Sequence, residues 1–241
     1  MKPKKSVVVF TMVHDQPEFQ KIWIEYYSQF NFDLIMLEHV LNEKEVETVQ
    51  EDGYERRKIF NAEFFNFKWM SETTRNLQRQ LLKQYDTVIY TDIDELIVPM
   101  DGNLEEYCEN NTNDITKCKG WNLIDKEYLV ASKEMSKPLV TRVPTTWHYG
   151  WHRCTEICIR DQTLWLIHLH RMDYDLAKKD WESRQLLKWN KESEERGLAW
   201  QDHFDTEAEF KKWYYENKKR GIDIPQWLKD KLGVIFRKDH K

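Results

Sequence analysis

The sequence lacks any continuous run of about 18 apolar residues, the length that a membrane-spanning helix requires. Near the N-terminus, basic residues are followed only by the short apolar run Val7–Phe10, which is too short for the core of a signal peptide. We therefore expect a soluble, cytoplasmic protein with no membrane span.

Cysteine is also scarce, with only Cys108, Cys118, Cys154 and Cys158 in 241 residues. In a chain without an export signal, cysteines are expected to be reduced thiols and not disulfides. Three residues separate Cys154 from Cys158, whereas zinc knuckles have two residues between their cysteines. We therefore expect this pair to have a packing role.

An excess of positive charge is missing as well, because the formal net charge is −5. A nucleic-acid surface built on overall basicity is therefore not expected. In contrast, the hydrophobic fraction of 40% and the aromatic fraction of 14% exclude a disordered chain. The eleven tryptophans suit either a core or a surface on which sugar rings stack.

The chain opens with the pattern of a strand, a helix and a second strand. Residues 6–12 are β-branched and apolar, residues 18–30 have the spacing of an amphipathic helix, and residues 33–37 are again apolar. This order is typical of a nucleotide-binding α/β sheet, in which ligands lie at the carboxyl ends of the strands. Three polar residues at these ends are nucleotide-binding candidates: Thr11, His14 and Glu38.

The segment Val88–Pro99 is predicted to be a hydrophobic strand that runs into three acids, Asp92, Asp94 and Glu95. With a period of two, Asp92 and Asp94 would project from the same side of the strand. Two carboxylates this close repel each other unless a cation or a proton lies between them. Such hard oxygen ligands suit Mg²⁺ or Mn²⁺, with substrate phosphates completing the site. Solvated acids at the end of a strand are the alternative.

The same patterns predict further elements. They are a short polar helix over 43–50, a helix over 74–85 with Ser71 as its N-cap, a polar loop over 110–119, and strands over 139–143 and 164–170. The first turn of the 74–85 helix carries Arg75 and Asn76, which would lie near the site if this helix leads into the strand of Asp92. Solvation or salt bridging is the alternative for its polar groups.

The composition changes after residue 173, where charged residues with helical spacing replace the strand patterns. We predict a core over 1–173 and a C-terminal helical extension over 174–241 that packs on it. A long helix is predicted over 177–191, and the capping box formed by Thr206 and Glu209 begins a second helix that continues to Lys219.

Three stretches carry a resemblance to a known family. They are Thr91–Pro99, Lys137–Pro144 with the following Trp147–His152, and Leu166–Asp173. Together they resemble GT-A glycosyltransferases, in particular the family 2-like and family 92-like groups, with Leu96 where the Asp-x-Asp-Glu-Phe segment often has Phe. The resemblance implies a GT-A (Rossmann-like) α/β fold with a mixed, mostly parallel sheet flanked by helices and a C-terminal helical appendage.

In such enzymes the Asp-x-Asp segment holds a divalent metal and the diphosphate of a nucleotide sugar. The resemblance therefore implies that Asp92 and Asp94 bind Mn²⁺ (or Mg²⁺), and that Asp92 also contacts the nucleotide. A histidine late in the fold completes the metal site in several such enzymes, a role that would go to His170 or, second, to His168. A structural role for this pair is the alternative. The likeness also places the helix of Arg75 beside the donor pocket.

An inverting sugar transfer further requires a base for the acceptor hydroxyl. Asp173 is our first candidate because it follows His170 by three residues, where the strand has just ended. Glu156 and Asp125 are the next candidates. Asp173 could equally cap the following helix, and without a positioned base a retaining transfer becomes the alternative.

The aromatic stretch around Gly150 is predicted to form the acceptor side or a lid. Aromatic faces pack against the C–H faces of sugars, and imidazoles donate to hydroxyls or phosphates. The candidates are Trp147, His148, Trp151 and His152. Burial in the core is the alternative for at least one of the two tryptophans.

The first functional hypothesis is a metal-dependent glycosyltransferase that moves a sugar, with inversion preferred, from a nucleoside-diphosphate sugar, most favourably a UDP sugar, to a glycan or glycoconjugate. The second is a metal-dependent hydrolase or phosphoesterase that uses the same Asp and His residues. Few further ligands for a two-metal site occur before residue 80, which disfavours it. The third is a non-catalytic carbohydrate-binding protein.

Overall fold

A mixed β-sheet organises the computed structural model, which describes residues 5–187, 189–197, 204–216 and 218–237. The strands of the described residues are β1 (Lys5–Val13), β2 (Asp33–Val40), β3 (Glu47–Glu51), β4 (Tyr54–Phe60), β5 (Tyr85–Tyr90), β6 (Glu95–Pro99), β7 (Ile115–Ile124), β8 (Tyr128–Ala131), β9 (Pro138–Thr141), β10 (Ile159–His168) and β11 (Ile222–Asp223). The helices are α1 (Pro17–Tyr27), α2 (Phe67–Leu81), α3 (Leu104–Asn110), α4 (Tyr174–Arg184), α5 (Lys191–Glu195), α6 (Glu207–Tyr215), α7 (Gln226–Lys231) and α8 (Gly233–Phe236).

Parallel pairing builds the N-terminal half of the sheet, where the strand order is β5-β1-β2-β4. The side chains of Val8, Val9 and Phe10 on β1 are all fully buried, as expected of a parallel strand covered on both faces. On the far side of β5 the order continues through β9, β7, β8 and β11. Because parallel strands share one direction, the carboxyl ends of β1, β2 and β5 meet at one edge.

Helices α1 and α2 pack against the sheet. Trp23 and Tyr26 of α1 are buried; the Trp23 indole N–H donates to Thr91 Oγ1 at 2.8 Å, and the Tyr26 hydroxyl donates to the Ile97 carbonyl at 2.7 Å. Helix α2 contacts β1 and β5. The predicted fold class, a mixed, mostly parallel α/β sheet flanked by helices, is confirmed and is consistent with a GT-A-like fold.

The predicted start of α2 is wrong. Asn66 is its N-cap, and the Asn66 side chain accepts a hydrogen bond from the Trp69 backbone N–H at 3.0 Å. Asn caps a helix as well as Ser does, and here the buried Phe67 follows it directly. Ser71 is instead buried inside the helix, which ends at Leu81.

The predicted helix over 43–50 is also wrong. A short 3-10 turn over Glu43–Glu45 leads into β3, which pairs antiparallel with β4. Gly53, at a φ of +83°, supplies the left-handed residue of the connecting turn. Across the two strands the Lys58 amine lies 2.6 Å from the carboxylate of Glu47, a residue of the predicted helix. This ion pair joins the two strands of the hairpin.

The segment Val88–Pro99 is two strands and not one. The Glu95 backbone N–H donates to the Asp92 carbonyl at 3.1 Å, so the chain turns between β5 and β6. Strand β6 then pairs antiparallel with β10. The expectation that Asp92 and Asp94 project from one side of a strand is therefore wrong. The predicted loop over 110–119 is wrong in its second half, where β7 has already begun.

The residues after position 173 contribute to two hydrophobic clusters. Trp181 and Phe210 pack with Ile124 of β7 and Val130 of β8, and Leu228 belongs to the main core. Strand β11 pairs with β8. No helix in the described part of the chain is both long enough and apolar enough to cross a membrane.

The helices of this region are shorter than predicted. Helix α4 ends at Arg184 and α6 at Tyr215. At the start of α6, Thr206 accepts the Glu209 backbone N–H as predicted, but the Glu209 carboxylate accepts from the Asp205 backbone N–H instead of the Thr206 backbone N–H, so only half of the predicted capping box forms. Positions 188 and 217, within the predicted helices, lie outside the described residues.

Candidate functional site

A cavity of about 840 Å³ opens at the carboxyl ends of the parallel strands. His14 follows β1, His39 lies near the end of β2 and Asp92 follows β5, and all three line this cavity. Other walls come from the β8–β9 connection, from residues 149–152, from the end of β10 and from the C-terminal helices. This is the edge at which open α/β sheets bind ligands.

A buried lysine joins two of the three acids. The Lys137 amine lies 2.5 Å from Asp92 Oδ2 and 2.6 Å from Glu95 Oε1, and its side chain is only 3% exposed. The Tyr90 hydroxyl donates to Asp92 Oδ1 at 2.8 Å, and the Asp92 backbone N–H donates to Glu95 Oε2 at 3.1 Å. The turn between β5 and β6 is thus fixed to the residue that precedes β9.

The charges of this group shift the pKa values of its buried members. Burial would lower the pKa of Lys137, but the carboxylates of Asp92 and Glu95 outweigh it and raise this pKa overall. Burial raises the pKa of Glu95 to about 7, against the opposing effect of Lys137. Glu95 therefore takes up a proton more readily than an exposed glutamate does.

Asp94 instead faces two imidazoles at the end of β10. His168 Nε2 lies 3.1 Å and His170 Nδ1 lies 3.7 Å from Asp94 Oδ2, and the two rings stack with their centres 5.8 Å apart. His168 Nδ1 lies 3.0 Å from Asn122 Oδ1 on β7. Because both nitrogens of His168 face oxygens, its environment favours the protonated ring.

The pKa values follow this geometry. Burial would raise the pKa of Asp94, but the charge and hydrogen bond of His168 hold it well below the usual carboxyl range. For His168, burial would lower the pKa, and Asp94 raises it overall. Asp94 is therefore ionised throughout the neutral range.

The donor atoms around Asp94 meet part of what a divalent metal requires. One carboxylate oxygen and two imidazole nitrogens within 4 Å are the ligand types that Mn²⁺ accepts. Within the described residues, however, no group of three or more His, Cys, Asp or Glu side chains forms a metal-holding arrangement by itself. The protein would therefore supply only part of a coordination sphere, as is usual where substrate phosphates complete it.

Aromatic and imidazole side chains form the wall at the ends of β1 and β2. His14 Nδ1 lies 2.8 Å from the His39 carbonyl, and the His14 ring lies 4.9 Å from the ring of Phe64. His39 Nε2 lies 2.9 Å from the Asn61 carbonyl, and burial lowers the pKa of His39. This wall combines ring faces with polar edges, which suits a nucleobase.

Trp151 and His152 form another wall. Gly150 has a φ of +71°, and a Cβ there would lie 2.9 Å from His152 Cδ2, so glycine is needed at this turn. The Trp151 indole N–H donates to Thr74 Oγ1 at 3.2 Å, which fixes the turn to α2. Burial lowers the pKa of His152 to about 4, so this ring is neutral at pH 7.

The structure brings some of the predicted residues together in the cavity. His14, Asp92, Asp94, His168, His170, Trp151 and His152 line it. Four other predicted residues are engaged outside its lining. Thr11 is buried within β1, Glu38 pairs with Arg56 at 3.0 Å, Arg75 donates to the Ser71 carbonyl, and Trp147 donates to the Pro138 carbonyl. Asn76 and His148 are exposed and also lie outside the cavity lining.

The three base candidates lie outside the lining as well. Asp173 is the N-cap of α4 and accepts the Leu176 backbone N–H at 2.9 Å. Glu156 accepts the Thr146 backbone N–H, and Asp125 accepts the Tyr214 hydroxyl. Their catalytic roles stay predictions.

Sequence reasoning missed several residues of the cavity: Lys137, Phe64 and Arg171. A signal existed for two of them, because Lys137 and Arg171 lie inside the stretches quoted above for the family resemblance. A charged residue at the start or end of an apolar strand, as these two are, can be buried and can pair with an acid or with a ligand.

No family model matches the chain, and no curated protein matches it. Among solved structures, the crystal structure of S. aureus TarS aligns with a TM-score of 0.34 and 9% sequence identity, over 88% of this chain and 44% of the TarS chain. The chain thus spans less than half of that protein. The fold class given above was assigned from the strand order and registers of this chain alone.

Proposed function

We propose that this protein is a metal-dependent glycosyltransferase that moves a sugar from a nucleoside-diphosphate sugar, most favourably a UDP sugar, to a hydroxyl of a glycan or glycoconjugate. One observation carries the proposal. Asp94 meets His168 and His170 in a large cavity that Asp92 also lines, at the carboxyl ends of the parallel strands of the sheet.

Asp94 and the facing imidazoles are the groups that would hold Mn²⁺ or Mg²⁺ together with the donor diphosphate. Such an ion supplies positive charge to the departing nucleoside diphosphate. His170 and His168 stay equal candidates here, because both face the same Asp94 oxygen. Asp92, held by Lys137, is the secondary ligand in this proposal.

The wall of His14, His39 and Phe64 would bind the nucleoside, since it lies at the ends of β1 and β2. Trp151 and His152 would contact the sugar or the acceptor. For an inverting transfer the base must reach the acceptor hydroxyl. Of the carboxylates beyond the Asp92–Asp94 turn, Glu134 and Glu216 line the cavity, whereas Asp173 is engaged at the start of α4.

Thermal unfolding in the presence of nucleotides tests the proposal. We expect UDP with Mn²⁺ to raise the melting temperature of the wild type and not of Asp94→Asn. A ligand that binds only the folded state stabilises that state by about 2.7 kcal/mol when its concentration is 100 times the Kd. Asp101→Asn, at an exposed position outside the cavity, is the matched control and should respond like the wild type. Slow release of UDP from a UDP sugar only with Mn²⁺ would then define the donor.

Other results would point elsewhere. If no nucleotide or nucleotide sugar shifts the unfolding transition with Mn²⁺, Mg²⁺ or EDTA, the proposal fails. Release of phosphate from a simple phosphoester would then favour the phosphoesterase alternative. Glycan binding that survives EDTA would favour the carbohydrate-binding alternative.

A further inference from the structure

Arg171 is a buried cation in the wall of the cavity. Arg171 is only 8% exposed, and its guanidinium carbon lies 3.8 Å from the centre of the Trp213 ring. The Nη1 atom is buried and has no hydrogen-bond partner among the described residues. A guanidinium keeps its charge at neutral pH, and a buried charge is costly unless an opposite charge meets it.

The surroundings only partly compensate this charge. Burial lowers the pKa of Arg171 to about 10, and the charge of Glu216 opposes that effect. Two further cationic residues, Arg184 and Arg220, line the same cavity. Arg184 forms an ion pair with Asp180 at 2.8 Å. Among the described residues, Glu216 is the carboxylate whose charge acts on Arg171.

The backbone of Arg171 is held in place. Its carbonyl accepts hydrogen bonds from the Tyr214 hydroxyl at 2.7 Å and from the Asp125 backbone N–H at 3.1 Å. A cation that is positioned by the fold, and not by a flexible stem on the surface, loses little entropy when a ligand binds. The position thus has the character of a built binding site.

The sheet order places this residue away from the proposed nucleoside wall. Arg171 is fixed to the chain just after β7, and Trp213 packs in the cluster of Ile124 and Val130. Strands β7 and β8 lie on one side of β5, whereas β1 and β2 lie on the other. The His170 ring lies 5.7 Å from Trp213 and connects the two regions next to Asp94.

We propose that Arg171 forms an anion subsite on the acceptor side of the cavity, which binds a phosphate or a carboxylate carried by the acceptor. This inference rests on the proposed function for its geometry, because the donor diphosphate is assigned to Asp94 and its imidazoles. Both anions match the planar fork of a guanidinium with two parallel hydrogen bonds.

Calorimetric titration of the full chain, saturated with UDP and Mn²⁺, tests the subsite with small probes. Glycerol phosphate is compared with glycerol, and glucuronate with glucose, on the wild type, Arg171→Met and Arg171→Lys. The matched control is Arg160→Met, because Arg160 is exposed on β10 and lies outside the cavity lining. We expect at least one anion to bind the wild type and the control with equal affinity, and Arg171→Met at least about tenfold more weakly. The uncharged analogues should bind none of the proteins measurably.

Three results would overturn the subsite. They are equal affinity of the wild type and Arg171→Met for both anions, no preference of the wild type for an anion over its uncharged analogue, and a loss of UDP affinity in Arg171→Met without any effect on the added anion. In the last case Arg171 serves the donor diphosphate. If no nucleotide or nucleotide sugar binds the wild type but anion binding still depends on Arg171, the proposed function fails and the subsite stands. If Arg171→Met does not fold, the test uses the preference of the wild type for an anion over its uncharged analogue, together with the affinity of Arg171→Lys for the same anion. We expect Arg171→Lys to bind the anion more weakly than the wild type does.

Discussion

Asp92 and Asp94 are separated by one residue, yet their carboxylates have opposite surroundings. Asp92 is held by the amine of Lys137 and the hydroxyl of Tyr90. Asp94 faces the two imidazoles at the end of β10. The first carboxylate is already neutralised by a fixed cation, whereas the second meets groups that can bind a metal or exchange a proton.

This difference separates a structural task from a chemical one. Lys137 joins the β5–β6 turn to β9 and thereby fixes where Asp94 lies, while Asp94 itself faces the cavity. Two neighbouring acids in a sequence motif therefore need not share one role. We infer that removing Lys137 changes stability most, and that removing Asp94 changes activity most.

Lys137→Met should have the largest effect. It removes the cation from Asp92 and from the fully buried Glu95, and breaking a buried ion pair by removing one partner costs about 3 to 5 kcal/mol, part of which is the protonation that Glu95 then undergoes. Urea unfolding at pH 7 measures this loss. Lys133→Met is the matched control, because Lys133 is exposed on the same cavity, and it should change stability by no more than about 0.5 kcal/mol. A small effect of Lys137→Met would show that the buried ion pair is not what holds the turn.

The second effect, on activity, separates the two acids directly. If the proposed function holds, Asp94→Asn should lower kcat/KM for sugar transfer by about 100-fold or more, because it weakens the binding of the metal ion whose positive charge would stabilise the departing nucleoside diphosphate. Asp92→Asn should lower it by about tenfold or less, since Lys137 already neutralises that carboxylate. Initial rates with Mn²⁺ at equal folded fractions measure both variants. A larger loss for Asp92→Asn would reverse the roles assigned here.

The smallest effect is a pH dependence of stability. The pKa of Glu95 is raised from 4.5 to about 7, so its contribution to the free energy of unfolding is fully present below pH 4.5 and is lost as the pH rises through 7. Glu95→Gln cannot ionise and should remove this decline, which is of the order of 1 to 2 kcal/mol between pH 5 and 7. Urea midpoints at the two pH values measure it. Glu134→Gln, exposed on the cavity wall, should keep the wild-type slope, and equal slopes in all three proteins would contradict the shift.

The parallel half of the sheet could be predicted from the sequence because its signals are local. The apolar runs at the start of the chain and before Asp92 have the composition of buried strands, and the strands observed there extend them by only a few residues. The break after Tyr90 could not be predicted, since the apolar pattern continues through Ile93 and Leu96. Only the pairing of β6 with β10, far away in sequence, shows that the chain turns there.

The site divides in the same way. The Asp and His residues were found because their types and spacing carry chemical meaning within a short stretch. Lys137 was missed because its role depends on a contact with Asp92, which is 45 residues earlier in the chain. The residues next to Lys137 in the sequence do not indicate this contact. Asn66 was missed as a helix cap because Ser71 offers an equally good local signal.

The two partners of β10 have one more consequence. His168 lies opposite Glu95 on β6 and opposite Asn122 on β7, so the position of this imidazole is set by strand register on both sides. A register irregularity between Arg160 and Trp165 precedes this stretch. One residue gained or lost before the irregularity can be absorbed there, but the same change after Trp165 would turn Ile167 or Leu169 toward Asp94 and His168 away from it. The position of His168 in the cavity therefore depends on the unbroken register of the four residues from Trp165 to His168. We expect insertions and deletions to be tolerated before Trp165 and not after it.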